Sequence, residues 1–220
     1  MITTSTTEKK IELVVGPNPK FGMVAPDSVI ERTAAALEQN GIHTIIVENG
    51  EQAKAEVLKL VPPGSHVYTT LSRTLEVTGI GEALNDSGNY RSIRKMVVGM
   101  NRETEMREIR KLQSTHDFVV GSVQAVTEGG AVLIASGSGS QLPAYAYGSD
   151  RVIWVVGAQK IVKDIDEGLA RLEEYSLPLE NERMQKAFGR NSALAKILIV
   201  KREGVSGRNT MILVKENLGF

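Results

Sequence analysis

Short apolar runs of strand length alternate along this chain with segments of helical period, and that alternation limits the folds open to it. Strand-length runs fall at residues 43–47, 66–70, 96–99, 118–121, 132–135, 151–156, 197–201 and 211–215. Between them, Val29, Ile30, Ala34 and Leu37 place an apolar stripe on one helical face. Ser28 and Glu31 have capping-box spacing at the start of that helix, and Asn40-Gly41 closes it. Further helices are predicted over residues 51–60, stopped by Pro62-Pro63-Gly64, and over 74–84 and 103–112. Asp164 and Glu167 repeat the capping-box spacing ahead of Ile165, Leu169 and Leu172, which share a face. Strands and helices in this order predict an α/β fold, with a mostly parallel sheet covered by helices on both faces.

A chain of 220 residues can bury one sizeable α/β core, and no repeat, long linker or low-complexity block divides it. Residues 1–10 are Thr-rich and lack an apolar stretch of signal-peptide type, so they read as a frayed tail before a single domain over 11–220. The formal net charge is zero, which argues against nucleic acid or an anionic membrane as partner. No apolar run reaches the length of a membrane span. There are no cysteines, so the chain has no thiolates for a disulfide, a zinc site or an iron–sulfur cluster. A cytoplasmic location is the expectation. His43, His66 and His116 are scattered with no second ligand at metal spacing. Gly137-Ser138-Gly139 has Leu142 where a dinucleotide fingerprint needs its third glycine, and no phosphate-binding P-loop occurs. The cofactor, if any, is therefore unknown from the sequence.

In parallel sheets, ligands bind beyond the carboxyl ends of the strands, which gives weight to loops that follow strands. Three are chemically unusual: Leu71-Ser72-Arg73-Thr74, Gly137 to Gln141, and Gly157-Ala158-Gln159-Lys160. Ser72 or Thr74 can cap the next helix, leaving Arg73 either to face an anion or to be solvated. Ser136, Gly137, Ser138, Gly139 and Ser140 offer amides and hydroxyls with little side-chain bulk, suited to an anion or only to a tight turn. Lys160 can balance an anionic ligand, although a loop lysine is more commonly solvated. Thr127-Glu128-Gly129-Gly130 sets a carboxylate at a glycine turn just before a buried strand. Partial desolvation there would suit Glu128 to act as a general base or nucleophile, and a surface turn glutamate is the alternative. Gly16-Pro17-Asn18-Pro19 reads as a turn lying over the domain or at a subunit contact.

These residues carry a resemblance. Gly121-Ser122-Val123-Gln124-Ala125-Val126-Thr127-Glu128-Gly129-Gly130, the Ser/Gly loop to Gly139, and Arg151-Val152-Ile153-Trp154-Val155-Val156-Gly157 resemble the LUD-domain, or lactate-utilisation, family. That family includes the C subunit of the bacterial lactate-oxidation complex. Its pattern is a strand, an Ala/Thr-Glu-x-Gly turn, an apolar strand, Ser-Gly-Gly-like residues, and a strand ending in Val-Val-Gly-Ala. Ser72-Arg73-Thr74-Leu75-Glu76 is similar to its Ser-x-Thr-x-x-Glu helix start, with Glu76 one place early. The resemblance covers residues 27–215 and is most specific over 120–162.

It implies a three-layer α/β/α fold like that of ribose-5-phosphate isomerase and the CoA transferases. Some CoA transferases use a Glu-x-Gly glutamate as acyl acceptor, and Glu128-Gly129-Gly130 is similar. The function implied is lactate or organic-acid utilisation, as a non-cluster component of an oxidation system or as a stand-alone relative. With no thiolates and no dinucleotide fingerprint, redox chemistry would need an iron–sulfur partner protein. The alternative is an independent enzyme for an anionic metabolite such as an acyl-CoA, nucleotide or sugar phosphate, with Glu128 as base or nucleophile. A non-catalytic sensor or scaffold fits the same residues. A sheet edge and the last strand could also pair two copies into a homodimer.

Overall fold

The computed structural model describes residues 16–220. The tail expected over residues 1–10 lies outside them. A six-stranded, wholly parallel sheet forms the centre, in the order β1 (Ile42–Val47), β10 (Asn209–Val214), β7 (Ser149–Gly157), β4 (His116–Gly121), β2 (His66–Thr69) and β3 (Arg91–Ser92). Side chains alternate across it with period two. Tyr68, Val119, Val152, Trp154, Val156, Met211 and Leu213 bury on one face, and Val67, Val120, Ile153, Val155, Ile212 and Val214 on the other. Helices α1 (Asp27–Gln39), α5 (Ile93–Val98) and α6 (Met106–Leu112) supply Ile30, Leu37, Ile93, Val97 and Ile109 to the first face. Helices α2 (Gly50–Leu60), α3 (Arg73–Val77) and α4 (Ile80–Asp86) supply Ala53, Val57, Leu75, Ile80 and Leu84 to the second. The α/β/α layering expected from the alternation is therefore present.

A second sheet was not expected. β8 (Ile161–Val162), β5 (Ala125–Thr127), β6 (Val132–Ser136) and β9 (Lys196–Val200) join in that order, parallel between β8 and β5 and antiparallel elsewhere. Its inner side, with Val126, Val132 and Ile134, shares the core of the first face. Its outer side, with Ala125, Leu133 and Ala135, packs on Phe21, Val162 and Leu172. Helix α7 (Ile165–Arg171) covers that outer side; a wide helical turn over Leu172–Ser176 then leads into α8 (Leu177–Phe188), also absent from the sequence reading.

Three local expectations need correction. Residues 96–99 are not a strand, because Ser92 accepts a hydrogen bond from the Lys95 amide (3.2 Å) and starts α5. Ile93 and Val97, one helical turn apart, then enter the core together, while Val98 is 77 % exposed. Ser28 does not cap α1, because the helix starts a residue earlier at Asp27, and the Pro26 carbonyl accepts from Val29 and Ile30 (2.9 and 3.1 Å). The helix over 74–84 breaks at Gly79, whose φ of +65° is the left-handed conformation glycine tolerates. The capping at Asp164 is as expected, with its side chain accepting from the Glu167 amide at 3.0 Å. Gly16-Pro17-Asn18-Pro19 lies over the domain's own C-terminal helices, where Asn18 donates to the Glu174 backbone (2.8 Å) and carboxylate (2.7 Å). Among the described residues no helix is long and apolar enough to cross a membrane.

Candidate functional site

Because β2, β4, β7 and β10 run parallel, the segments that follow them all leave from one end of the sheet. Thr70 and Ser72 follow β2, Ser122 follows β4, and Ala158-Gln159-Lys160 follow β7, whose last residue is Gly157. Residues 215–220 follow β10. These segments converge on Lys160, held in a 3-10 turn and only 1 % exposed. Its Nζ donates to Thr74 Oγ1 (3.1 Å), Ser122 Oγ (3.1 Å) and the backbone oxygen of Phe220 (3.4 Å). Beyond Ser122, the hydroxyls of Thr70 and Tyr145 meet at 3.2 Å. Burial pushes the Tyr145 phenol upward, so it stays protonated and can donate.

A fully buried ammonium normally has a carboxylate beside it. Among the described residues, no side-chain carboxylate pairs with Lys160. Burial, and then the charge of Arg171, push its ammonium well below the usual lysine range. Arg171 is equally buried and donates to the Gln124 carbonyl, to Ser176 Oγ (3.1 Å) and to the Phe21 carbonyl (3.4 Å). Burial lowers its guanidinium to about 10, against the opposing influence of Tyr175, whose ring lies 4.9 Å away. Two buried cations thus have no side-chain carboxylate beside them among the described residues; Lys160 meets two hydroxyls and the main-chain oxygen of Phe220, and Arg171 meets a hydroxyl and two carbonyls.

The segment after β10 lies directly over these donors. Leu218 O accepts from Thr74 Oγ1 (2.9 Å) and Gln159 Nε2 (3.1 Å), and Gly219 O accepts from Gln159 Nε2 (2.9 Å). The approach needs glycine on both sides. A Cβ on Gly157 would stand 2.7 Å from Glu216 O and Leu218 N, and one on Gly219 (φ +65°) 2.8 Å from the Thr74 amide. Gln159 Oε1 is buried with no hydrogen-bond partner. The backbone oxygens of Leu218, Gly219 and Phe220 therefore occupy three acceptor positions around Lys160, Thr74 and Gln159.

The LUD-domain family model matches residues 30–214. The chain belongs to the LUD-domain family. It is similar to the crystal structure of a DUF162 family protein from Deinococcus radiodurans, at 13 % identity and a TM-score of 0.53, over 87 % of this chain and 99 % of that one. At that identity the likeness speaks for the fold. It also has a partial likeness to eIF2B beta from Chaetomium thermophilum, at 17 % identity and a TM-score of 0.38, over 56 % of this chain and 42 % of the other. No curated protein matches the chain.

Within this LUD domain, the residues singled out in the sequence fall into three groups. Ser72, Thr74, Gly157 and Lys160 come together. Ser72 caps α3 through the Leu75 amide (3.4 Å), and Lys160 is buried rather than solvated. Arg73 points away from this cluster and pairs with Glu76 at 2.9 Å on the exposed side of α3. The second group is the turn after β5. Glu128 Oε2 accepts from Arg32 Nη2 (2.7 Å), with its side chain 37 % exposed, so the desolvation expected there is only partial. Thr127 Oγ1 accepts from the Ala131 amide (2.9 Å), Gly129 O accepts from Asn40 Nδ2 (2.9 Å), and Gly130 packs on Ala36.

Glu128 and Lys160 lie at opposite ends of the β5–β8 pairing, since Val126 faces Ile161 and Thr127 faces Val162. The third group is the Ser/Gly loop, which satisfies much of itself. Ser136 Oγ accepts from the Gly139 amide (2.8 Å), Ser138 Oγ accepts from the Ser140 amide (3.3 Å), and Gly137 sits near Ala193. It shares no hydrogen bond with Lys160 among the described residues. The sequence reading missed Thr70, Ser122 and Tyr145 as site residues. The first two were findable, as hydroxyls directly after strands that end at the binding edge of a parallel sheet. Among the described residues no cluster of metal-ligating side chains occurs.

Proposed function

We propose that this LUD-domain protein binds a small organic carboxylate, lactate or a close relative, at the Lys160 cluster. In this reading it serves organic-acid utilisation as a non-cluster component of an oxidation system or as a stand-alone relative. The observation that carries the reading is Lys160 itself: a buried cation bonded only to hydroxyls and a backbone oxygen. A carboxylate is an acceptor-only group with two oxygens, and its negative charge would offset those of Lys160 and Arg171, which have no side-chain carboxylate partner among the described residues. Thr74 Oγ1, Gln159 Nε2 and Lys160 Nζ would receive it in place of the oxygens of residues 218–220. The chain has no cysteine, so oxidation of such an acid would depend on a redox centre in a partner, for which an iron–sulfur protein is the natural class.

A second reading keeps Glu128 as base or nucleophile toward a larger anionic metabolite such as an acyl-CoA, nucleotide or sugar phosphate. A hollow of about 580 Å³ beside the Glu128 turn, reached through Thr127 and Gly129 and lined by Lys163, Lys201 and Arg202 as well as Asp164 and Asp166, is the space this reading would use. One experiment separates the two. Thermal shifts of the wild type, Lys160→Met and Glu128→Gln are measured with lactate, an acyl-CoA, ATP and ribose 5-phosphate. A ligand at about a hundredfold excess over its dissociation constant adds roughly 2.7 kcal/mol, a readily visible shift. The first reading expects a lactate shift lost in Lys160→Met and kept in Glu128→Gln. The reverse pattern with a phosphorylated ligand would replace it with the second.

A further inference from the structure

We infer that residues 216–220 are a displaceable strap, which closes the Lys160 cluster in the free protein and lifts away as a carboxylate binds. The inference rests on the proposed carboxylate site and concerns how that site opens. Thr74, Gln159 and Lys160 are 1 %, 2 % and 1 % exposed, so an anion reaches their donor atoms only after part of the chain has moved. Three of the surrounding segments are fixed. Thr74 belongs to α3, whose Leu75 is buried in the core. Gln159 and Lys160 follow directly on β7, inside the sheet. The turn over Pro19–Gly22, which packs beside theirs, is anchored by buried Phe21 and by the bonds of Asn18 to Glu174.

Residues 216–220 are held differently. The Lys215 amide donates to Val47 O (3.0 Å), and beyond it no amide of this segment donates to a backbone oxygen among the described residues. Two side-chain ties fix its beginning: Glu216 Oε2 accepts from the Gly50 amide (3.0 Å), and Asn217 Nδ2 donates to Gly22 O (2.7 Å). Leu218 is only partly buried against the core. Over the cluster itself the segment acts purely as an acceptor, with Leu218 O on Thr74 and Gln159, Gly219 O on Gln159 and Phe220 O on Lys160.

Those are the donors a carboxylate would use, so strap and ligand exclude each other. Opening with nothing in their place would strand buried donors, and that cost keeps the strap shut. A carboxylate restores the acceptors and makes charge-assisted bonds, which are stronger than those to a neutral carbonyl. The ligand therefore favours the open state, as a population shift requires. The closed state is itself imperfect: Gln159 Oε1 is buried without a partner, and Gly219 holds a φ of +65° against Thr74.

The test titrates lactate calorimetrically into wild type, Gly219→Ala, Asn217→Ala and Lys160→Met. Gly219→Ala sets a Cβ 2.8 Å from the Thr74 amide at a positive φ, which loosens the closed strap and leaves every donor in place. Apparent affinity scales with the open fraction, so this variant is expected to bind lactate about fivefold or more tighter than wild type. Asn217→Ala, which removes the tie to Gly22, is expected to bind about twofold tighter. The chain has no cysteine, so Leu218→Cys gives it a single thiol. Saturating lactate is expected to speed reaction of that thiol with a maleimide about fivefold or more.

Equal or weaker binding in Gly219→Ala would show the segment to be a fixed wall of the site and overturn the strap. Thiol labelling left unchanged or slowed by lactate would overturn it as well. In either case, wild-type binding that is lost in Lys160→Met leaves the carboxylate site standing. Absence of lactate binding in wild type and Gly219→Ala alike would remove that site, and the strap's role with it.

Discussion

At the scale of single residues, the account turns on what burial does to Lys160. Its folded-state pKa lies well below the ordinary 10.5. Below the folded value, both folded and unfolded chains hold the proton, and the full cost of the buried charge falls on the native state. Between the folded value and 10.5, the unfolded chain holds more protons, so stability rises with pH across that window. Lys160→Met removes the cost and fills similar volume. The variant is expected to be more stable than wild type at neutral pH by on the order of 1–3 kcal/mol, the scale for a polar group buried with incomplete compensation. That advantage should shrink toward alkaline pH. Urea titrations of both proteins from about pH 6 to about pH 10 check it, and a constant difference would show that Lys160 is not buried as a strained cation. The sequence marked position 160 as a candidate anion partner but could not show its burial. That burial is made by a 3-10 turn and by residues 218–220, which are distant in sequence and lack any motif. Glu128 shows the opposite case. Its glycine turn is legible, but the Arg32 that meets it comes from α1, and nothing in the turn announces that pairing.

At the scale of elements, most strands and helices of the main sheet were legible because they combine the right period with a clear stop. Asn40-Gly41 after α1 and Pro62-Pro63-Gly64 after α2 are examples. The failures have local causes. β5 and β8 are too short for any period to show, and they exist because β6 and each other supply their hydrogen bonds. Residues 96–99, with Val97 and Val98 side by side, look like a strand, and a single Ser92 cap together with the Ile93–Val97 spacing decides for a helix over Ile93–Val98. Gly79 divides what reads as one helix into α3 and α4, and this division holds Thr74 at the start of α3, against Lys160. Gly79→Ala is expected to cost about 1–2 kcal/mol, the penalty for a Cβ in the left-handed region. Gly81→Ala, inside α4 with its nearest neighbour at 3.6 Å, should instead stabilise by about 0.4–1 kcal/mol. Equilibrium denaturation of the two variants gives both signs at once, and equal effects would contradict the break at Gly79.

At the scale of the whole molecule, the parallel sheet does two things. It buries Trp154, Val155 and Val156 of β7 under helices on both faces, and it brings the segments after β2, β4, β7 and β10 to one end. Every hydrogen bond made by Lys160 Nζ comes from those segments or from the first turn of α3, so the site is a consequence of strand direction more than of any contiguous motif. Family membership fits the fold, and the proposed carboxylate site rests on the cluster. The most direct test is calorimetric titration of lactate into wild type and Lys160→Met, repeated in buffers of different ionisation enthalpy. A carboxylate favours the charged form of Lys160, so binding should take up a proton between the free and bound pKa values, and affinity should fall as pH rises through that window. The account predicts proton uptake in wild type and at least about a tenfold weaker affinity in the variant, the loss expected for one charge-assisted contact. Equal affinity in the two proteins, with no proton exchanged, would contradict it.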